Sequence, residues 1–142
     1  MKKLLFAALI TVSLMSSAFA SPVEGVSYFI SNSFAGSFPK ATNVNWKVTA
    51  NFTKASFILN NVPTEAFYDR NGEFIGTSRA IAIDQMPTHI KRIFAKKYSG
   101  YTVKESIEFS GIEETSYYIS AENEKGTVIL KAARGVIEVV RQ

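Results

Sequence analysis

Polar and apolar positions change period several times along this chain, and each change marks an element. Val23, Val26, Ile30 and Phe34 recur at spacings of three and four, which places them on one stripe of an amphipathic helix, and Phe29 widens that stripe. Ser21-Pro22-Val23-Glu24 reads as an N-cap, a proline in the first helical position and a glutamate at the third. Pro39 keeps its predecessor away from helical angles, so the pattern predicts a helix from about Pro22 to Ala35. From Val44 the period drops to two. Val44, Trp46, Val48, Ala50 and Phe52 alternate with Asn45, Lys47, Thr49 and Asn51, the signature of a half-buried strand. Ala55, Phe57 and Leu59 continue it in a second strand, and Asn60-Asn61-Val62-Pro63 breaks the run. Thr64 to Asp69 and Glu73 to Ser78 then form a hairpin around Arg70-Asn71-Gly72.

The same layout returns. Asp84-Gln85-Met86-Pro87 opens a second helix with Met86, Ile90, Ile93, Phe94 and Tyr98 on one face, stopped by Ser99-Gly100. Strands are predicted at about Tyr101 to Phe109, Thr115 to Glu122, Thr127 to Ala132 and Gly135 to Val140. The blocks Thr64 to Ile75 and Thr127 to Glu138 lie 63 residues apart and share a strand, Gly turn, strand design. The fold class expected is α+β: tandem helix-plus-four-strand repeats, residues 21–83 and 84–142, in a single domain. They would form one antiparallel sheet of up to eight strands with both helices on one face. Strand alternation then puts Lys47, Thr49, Asn51, Lys104, Ser106, Glu108, Tyr118 and Lys131 on the open face. Six of these, Lys47, Asn51, Lys104, Glu108, Tyr118 and Lys131, are the candidate binding face. Trp46, Phe57, Phe67, Tyr68, Tyr117 and Tyr118 follow strand period, so one residue of each adjacent pair such as Phe67-Tyr68 should leave the core for the open face or an interface, where Tyr suits partner contacts.

Residues 1–20 carry a different message. Lys2 and Lys3, the apolar run Leu4 to Leu14 and Ala18-Phe19-Ala20 have the three parts of a secretory signal peptide, with cleavage expected after Ala20. The run is shorter than the roughly 20 residues that span a bilayer. A soluble product exported to a bacterial periplasm, with no transmembrane segment after signal removal, is the expectation. Without Lys2 and Lys3, the 16 Lys and Arg fall to 14 against 12 Asp and Glu, a net charge of +2 that gives little reason to expect a nucleic-acid partner. There is no Cys, so packing alone must hold the fold. The 11 Phe, 6 Tyr and single Trp supply an aromatic core for it.

Phe34-x-x-x-Phe38-Pro39-x-Ala41-x-x-Val44-x-Trp46, then Tyr68-Asp69-x-x-Gly72 and Met86-Pro87 opening a helix that ends at Tyr98, resembles the PepSY-like family. That family is also described as β-lactamase-inhibitor-like and is common in exported proteins of Bacteroidetes. The resemblance covers nearly all of the chain after residue 20. It implies tandem helix-plus-four-strand repeats and a non-enzymatic periplasmic module. No inhibitor contact residue can be matched to a position here. The second copy departs from the first, with Glu105 aligned on Trp46.

Catalytic vocabulary is thin. His89 is the single histidine, with no nucleophile or orienting partner spaced near it. One His, no Cys and scattered carboxylates give no metal set, and no cofactor is expected. Glu113-Glu114 is the nearest carboxylate pair, while Asp69-Arg70-Asn71-Gly72-Glu73 is too short for a 12-residue calcium loop and reads as a turn. Ser110-Gly111 lacks the Gly-x-Ser-x-Gly context of a nucleophile elbow. Lys91, Arg92, Lys96, Lys97 and Lys104 concentrate charge that could meet anionic lipid or polysaccharide, although a solvated helix face is the commoner origin of such a run. A non-enzymatic binding or inhibitory module for an exported protein or envelope component is the leading expectation; the alternative is a carrier or sensor enclosing a small apolar ligand.

Overall fold

The structure, a computed structural model, describes residues 25–141. The signal-peptide reading, its cleavage site and the Ser21-Pro22 cap lie outside the described residues. Among the described residues the fold is α+β, with two helices and eight strands whose order in the sheet is their order in the chain. The chain divides into two compact units between Arg79 and Ala80.

In the first unit, α1 spans Tyr28–Ser37. It starts later than the spacing predicts because Ser27 caps it: the Ser27 hydroxyl accepts from the Ile30 amide at 3.2 Å. Val26 therefore precedes the helix, though it still packs on the core. At the other end the Phe38 amide donates to the Phe34 carbonyl before Pro39 prevents continuation. Ile30 and Phe34, one helical turn apart, are the residues α1 buries. Phe29 is 66 % exposed, so it does not widen the buried stripe.

Strands β1 (Thr42–Val48), β2 (Thr53–Leu59), β3 (Val62–Tyr68) and β4 (Phe74–Ala80) form an antiparallel meander. The long alternation from Val44 to Phe52 does not stay one strand. Thr49 closes a turn, its hydroxyl donating to the Phe52 carbonyl at 2.9 Å and accepting from the Phe52 amide at 3.1 Å. Asn60 and Asn61 join β2 to β3 with φ of 51° and 64°, the left-handed pair of a tight hairpin turn. In the β3–β4 turn Asp69 Oδ1 accepts from the amides of Asn71 and Glu73 at 2.8 and 2.9 Å, so the carboxylate organises backbone. Gly72 is required twice over. Its φ is +81°, which strains any side chain, and a Cβ there would lie 3.2 Å from Ile30 Cγ1, tight enough that α1 would have to give way.

Between α1 and the strands, rings fill the space. Phe34 lies 4.9 Å from Phe57 and 5.1 Å from Trp46, Phe38 lies 5.0 Å from Phe57, and Tyr68 lies 5.6 Å from Phe74, centroid to centroid. Edge and tilted packing of this kind suits ring quadrupoles.

The second unit begins with a single 3-10 turn at Ile83–Gln85, followed by α2 (Thr88–Lys97). Strands β5 (Thr102–Gly111), β6 (Thr115–Asn123), β7 (Gly126–Ala133) and β8 (Val136–Arg141) form its antiparallel meander. Met86, Ile90 and Phe94 pack with Ile119, Ala121, Val128, Leu130, Ala132 and Ile137. Helix to helix, the repeat offset is 60 residues: Ile30 and Phe34 correspond to Ile90 and Phe94. Register carries that offset into the strands. Trp46 pairs with Ala55, and Ser106 pairs with Ile119 on the matching core side, so Ser106, not Glu105, stands in the place of Trp46. Glu105 faces the other side with Ser120. The buried Ser106 hydroxyl donates to the Ile81 carbonyl at 2.6 Å, and Ile81 packs on the core that a second Trp would have filled.

Candidate functional site

Cross-strand partners point to the same side of a sheet, so register decides which residues share a surface. On the side of unit 1 away from α1, Lys47 neighbours Lys54, Ser56 neighbours Glu65, and Glu65 neighbours Ser78. Glu65 is the hub. Its Oε1 takes the Lys54 ammonium at 2.7 Å and the Ser56 hydroxyl at 3.3 Å, and its Oε2 takes the Ser78 hydroxyl at 3.4 Å. Only 8 % of the Lys54 side chain and 13 % of the Glu65 side chain reach solvent. Charged groups are buried to this degree only when paired. The face expected to be open is therefore closed here, and the aromatic pairs show the same thing. Tyr68 enters the α1 side while Phe67 leaves it, yet both are fully buried. Phe52, swung over by the Thr49 turn, sets its ring 6.0 Å from Phe67.

In unit 2 a bulge undoes the predicted alternation. Val103 pairs with Ala121 and Glu105 with Ser120, leaving Lys104 as the extra residue. Beyond it, Ser106 and Glu108 share the α2 side with Ile119 and Tyr117, whereas Tyr118 and Lys131 are partners on the other side. Within unit 2, Glu108 of the candidate binding face is thus on the opposite side of the strands from Tyr118 and Lys131. Lys47 is exposed on β1, and Asn51 is exposed in the β1–β2 turn, where its Oδ1 lies 3.4 Å from Arg70 Nη2. Lys104 pairs with Glu122 at the surface. Lys131 lies 3.9 Å from Glu114, which also takes Arg134 Nε at 2.6 Å. Tyr118 is 1 % exposed and offers no surface, contrary to its place on an open face. Burial, and then the Glu114 charge, push its phenol well above the ordinary range.

Among the described residues, a concave feature of unit 1 lies elsewhere, at the end of the meander where two turns meet the start of α1. Gly25, Ser27, Phe29 and Ile30 form one wall of a cleft of about 410 Å³, Val48 to Thr53 without Asn51 a second, and Asp69 to Gly72 a third. Phe29 and Val48, 66 % and 41 % exposed, present apolar surface at it, and Arg70 supplies a guanidinium. Sequence periodicity misplaced Phe29 and Val48 in the core. For Phe29 the signal that could have corrected this is its angle, since at about 100° per residue it lies about 140° round the helix from Phe34, off the line of the buried residues.

Tyr68 is buried among the core rings, and its hydroxyl has no hydrogen-bond partner among the described residues. Burial pushes its phenol from 10.0 up to about 12. The folded state then holds a proton that the unfolded chain releases, so stability falls as pH rises through the window from 10.0 to about 12. Tyr68→Phe is expected to raise stability by about 1 kcal/mol at neutral pH by removing the unpaired hydroxyl. It should also remove part of the alkaline loss, as read by urea titrations at pH 7 and above 10; lower stability at pH 7 would contradict this account.

Among the described residues no three His, Cys, Asp or Glu side chains gather to hold a metal ion, and no helix is long and apolar enough to cross a membrane. His89 is exposed on α2. No protein-family model matches this sequence, and no curated protein sequence does either. Solved structures do match. A DUF2874 family protein from Bacteroides uniformis superposes with a TM-score of 0.72 at 16 % identity, covering 82 % of this chain and 87 % of that one. A BLIP-like protein from Bacteroides fragilis gives 0.69 at 17 % identity, over 88 % and 91 % of the two chains. A protein from Bacteroides eggerthii, inferred to be periplasmic, gives 0.69 at 17 % identity over 88 % of each. At these identities the likeness is one of fold, and the chain folds as DUF2874 and BLIP-like proteins of Bacteroides do.

Proposed function

We propose that this protein is an exported, non-catalytic binding module of the PepSY-like, β-lactamase-inhibitor-like type, acting in the periplasm on a partner protein through the cleft of unit 1. The observation that carries this reading is the exposure of Phe29 and Val48 beside Arg70 in a cleft of about 410 Å³. An apolar side chain of the partner covers Phe29 and Val48, and a carboxylate next to it meets Arg70, a charge-assisted contact suited to a guanidinium. Support for the compartment comes from the signal-like residues 1–20 and from the fold shared with a Bacteroides protein inferred to be periplasmic. The carrier alternative drew on the aromatic content, but in unit 1 those rings pack on one another between α1 and the strands.

Photocrosslinking in the native host tests the site. With p-benzoylphenylalanine introduced at Phe29 or at Val48, a discrete adduct of higher mass is expected, and it should weaken when Arg70→Ala is added. The same probe at Lys125, exposed in the β6–β7 turn, should give none. Equal crosslinking at all three positions, or none at Phe29 and Val48, would overturn the cleft as the docking site.

A further inference from the structure

The two helices bury the same residue types in the same way, Ile30 with Phe34 and Ile90 with Phe94, but their outer faces differ completely. Helix α1, Tyr-Phe-Ile-Ser-Asn-Ser-Phe-Ala-Gly-Ser, has no charged residue, whereas α2 carries Lys91, Arg92, Lys96 and Lys97 within ten. Packing against a meander therefore does not require these cations. Lys96 and Lys97 do complement the negative end of the helix dipole, but α1 ends without any such residue, and Arg92 stands outside the last turn. Of the other cations of unit 2, Lys104 pairs with Glu122, and Lys131 and Arg134 with Glu114, while Lys125 and Arg141 are exposed as single charges away from the helix. Arg92, Lys96 and Lys97 are exposed and meet no acid among the described residues, and Lys91 donates to the Asp84 carbonyl, which leaves its charge uncompensated there.

We propose that the outward face of α2 docks this protein on an anionic phospholipid surface. Arg92 and Lys96, four residues apart, form the solvent-facing line of the helix, and Lys91 and Lys97 lie about 120° round from it on either side. Such a display is convex, with the cations radiating from a rod about 15 Å long. A convex array meets a flat layer of laterally mobile phosphodiesters well, because the headgroups gather around fixed cations and each basic residue near the surface adds to the attraction. This surface belongs to unit 2 and is independent of the cleft in unit 1.

The test is sedimentation of the exported protein with vesicles of phosphatidylcholine alone or with about 30 % phosphatidylglycerol, at about 0.05 M and about 0.3 M salt. Binding is expected only to the anionic vesicles and should be lost at the higher salt. Arg92→Gln with Lys96→Gln should weaken it roughly tenfold or more, with the far-UV spectrum unchanged. Lys40→Gln with Lys125→Gln, which removes two exposed cations elsewhere, should leave it within about twofold, separating the α2 face from net charge. No binding to anionic vesicles, equal binding to neutral ones, equal loss in the two double variants, or retention by a soluble sulfated polysaccharide without vesicle binding would each overturn the proposal.

Discussion

Glu65→Ala is expected to destabilise unit 1 by about 3–5 kcal/mol, the cost of stranding a buried charge. The Lys54 ammonium sits 2.7 Å from Glu65 with only 8 % of its side chain exposed, so without the carboxylate its charge is left unpaired in a largely dry site. The Ser56 and Ser78 hydroxyls lose their acceptor in the same step. Urea titration followed by Trp46 fluorescence reads this directly, because the single Trp lies in unit 1. Lys54→Met with Glu65→Leu should recover most of the loss, since a well-packed apolar pair of similar volume can match a buried ion pair. A Glu65→Ala protein within about 1 kcal/mol of wild type would show that water solvates the pair and that this face is open after all.

The second large effect is expected at Phe34, whose replacement by Ala should cost about 3–5 kcal/mol. Its ring is the common neighbour of Phe38, Trp46 and Phe57, at 5.2, 5.1 and 4.9 Å, so truncation opens a cavity bounded by three rigid rings that cannot close over it. Phe29→Ala, five residues earlier, should change stability by no more than about 0.5 kcal/mol because that ring is 66 % exposed. Differential scanning calorimetry of the two variants makes the comparison without relying on Trp46, which Phe34 touches. Equal losses would mean that α1 is rotated from the position described.

The contrast between Phe29 and Phe34 shows where sequence reading stops. Both are apolar and close in sequence, but five residues turn the helix by about 140° beyond a full circle, so a stripe wide enough to hold both is too wide, and packing buries only Phe34. The duplicated α-β-β-β-β order, the strand spans of the second copy and the Gly turns were legible because each depends on neighbours within a few residues: period, capping chemistry and left-handed turn preferences. The candidate face was not. A single extra residue at Lys104 moves Ser106 and Glu108 to the opposite side of the sheet from Tyr118 and Lys131, and alternation has no means of seeing it. In the same way the 63-residue spacing of the Gly turns gives one alignment of the copies, while the 60-residue spacing of the helices, carried by register, gives Ser106 as the counterpart of Trp46.

By itself, then, the sequence determined the elements, their order and the chemistry available to them, including the unusual charge of α2, because those follow from local backbone preference and residue type. Only the tertiary structure decided that Lys54 and Glu65 meet, that Tyr118 is buried, and that Phe29, Val48 and Arg70 line one cleft. Residues 11 to 41 positions apart, from Lys54 with Glu65 to Phe29 with Arg70, become neighbours through register, bulges and turn closure. Those are cooperative properties of paired strands, and no single strand's pattern encodes its partner.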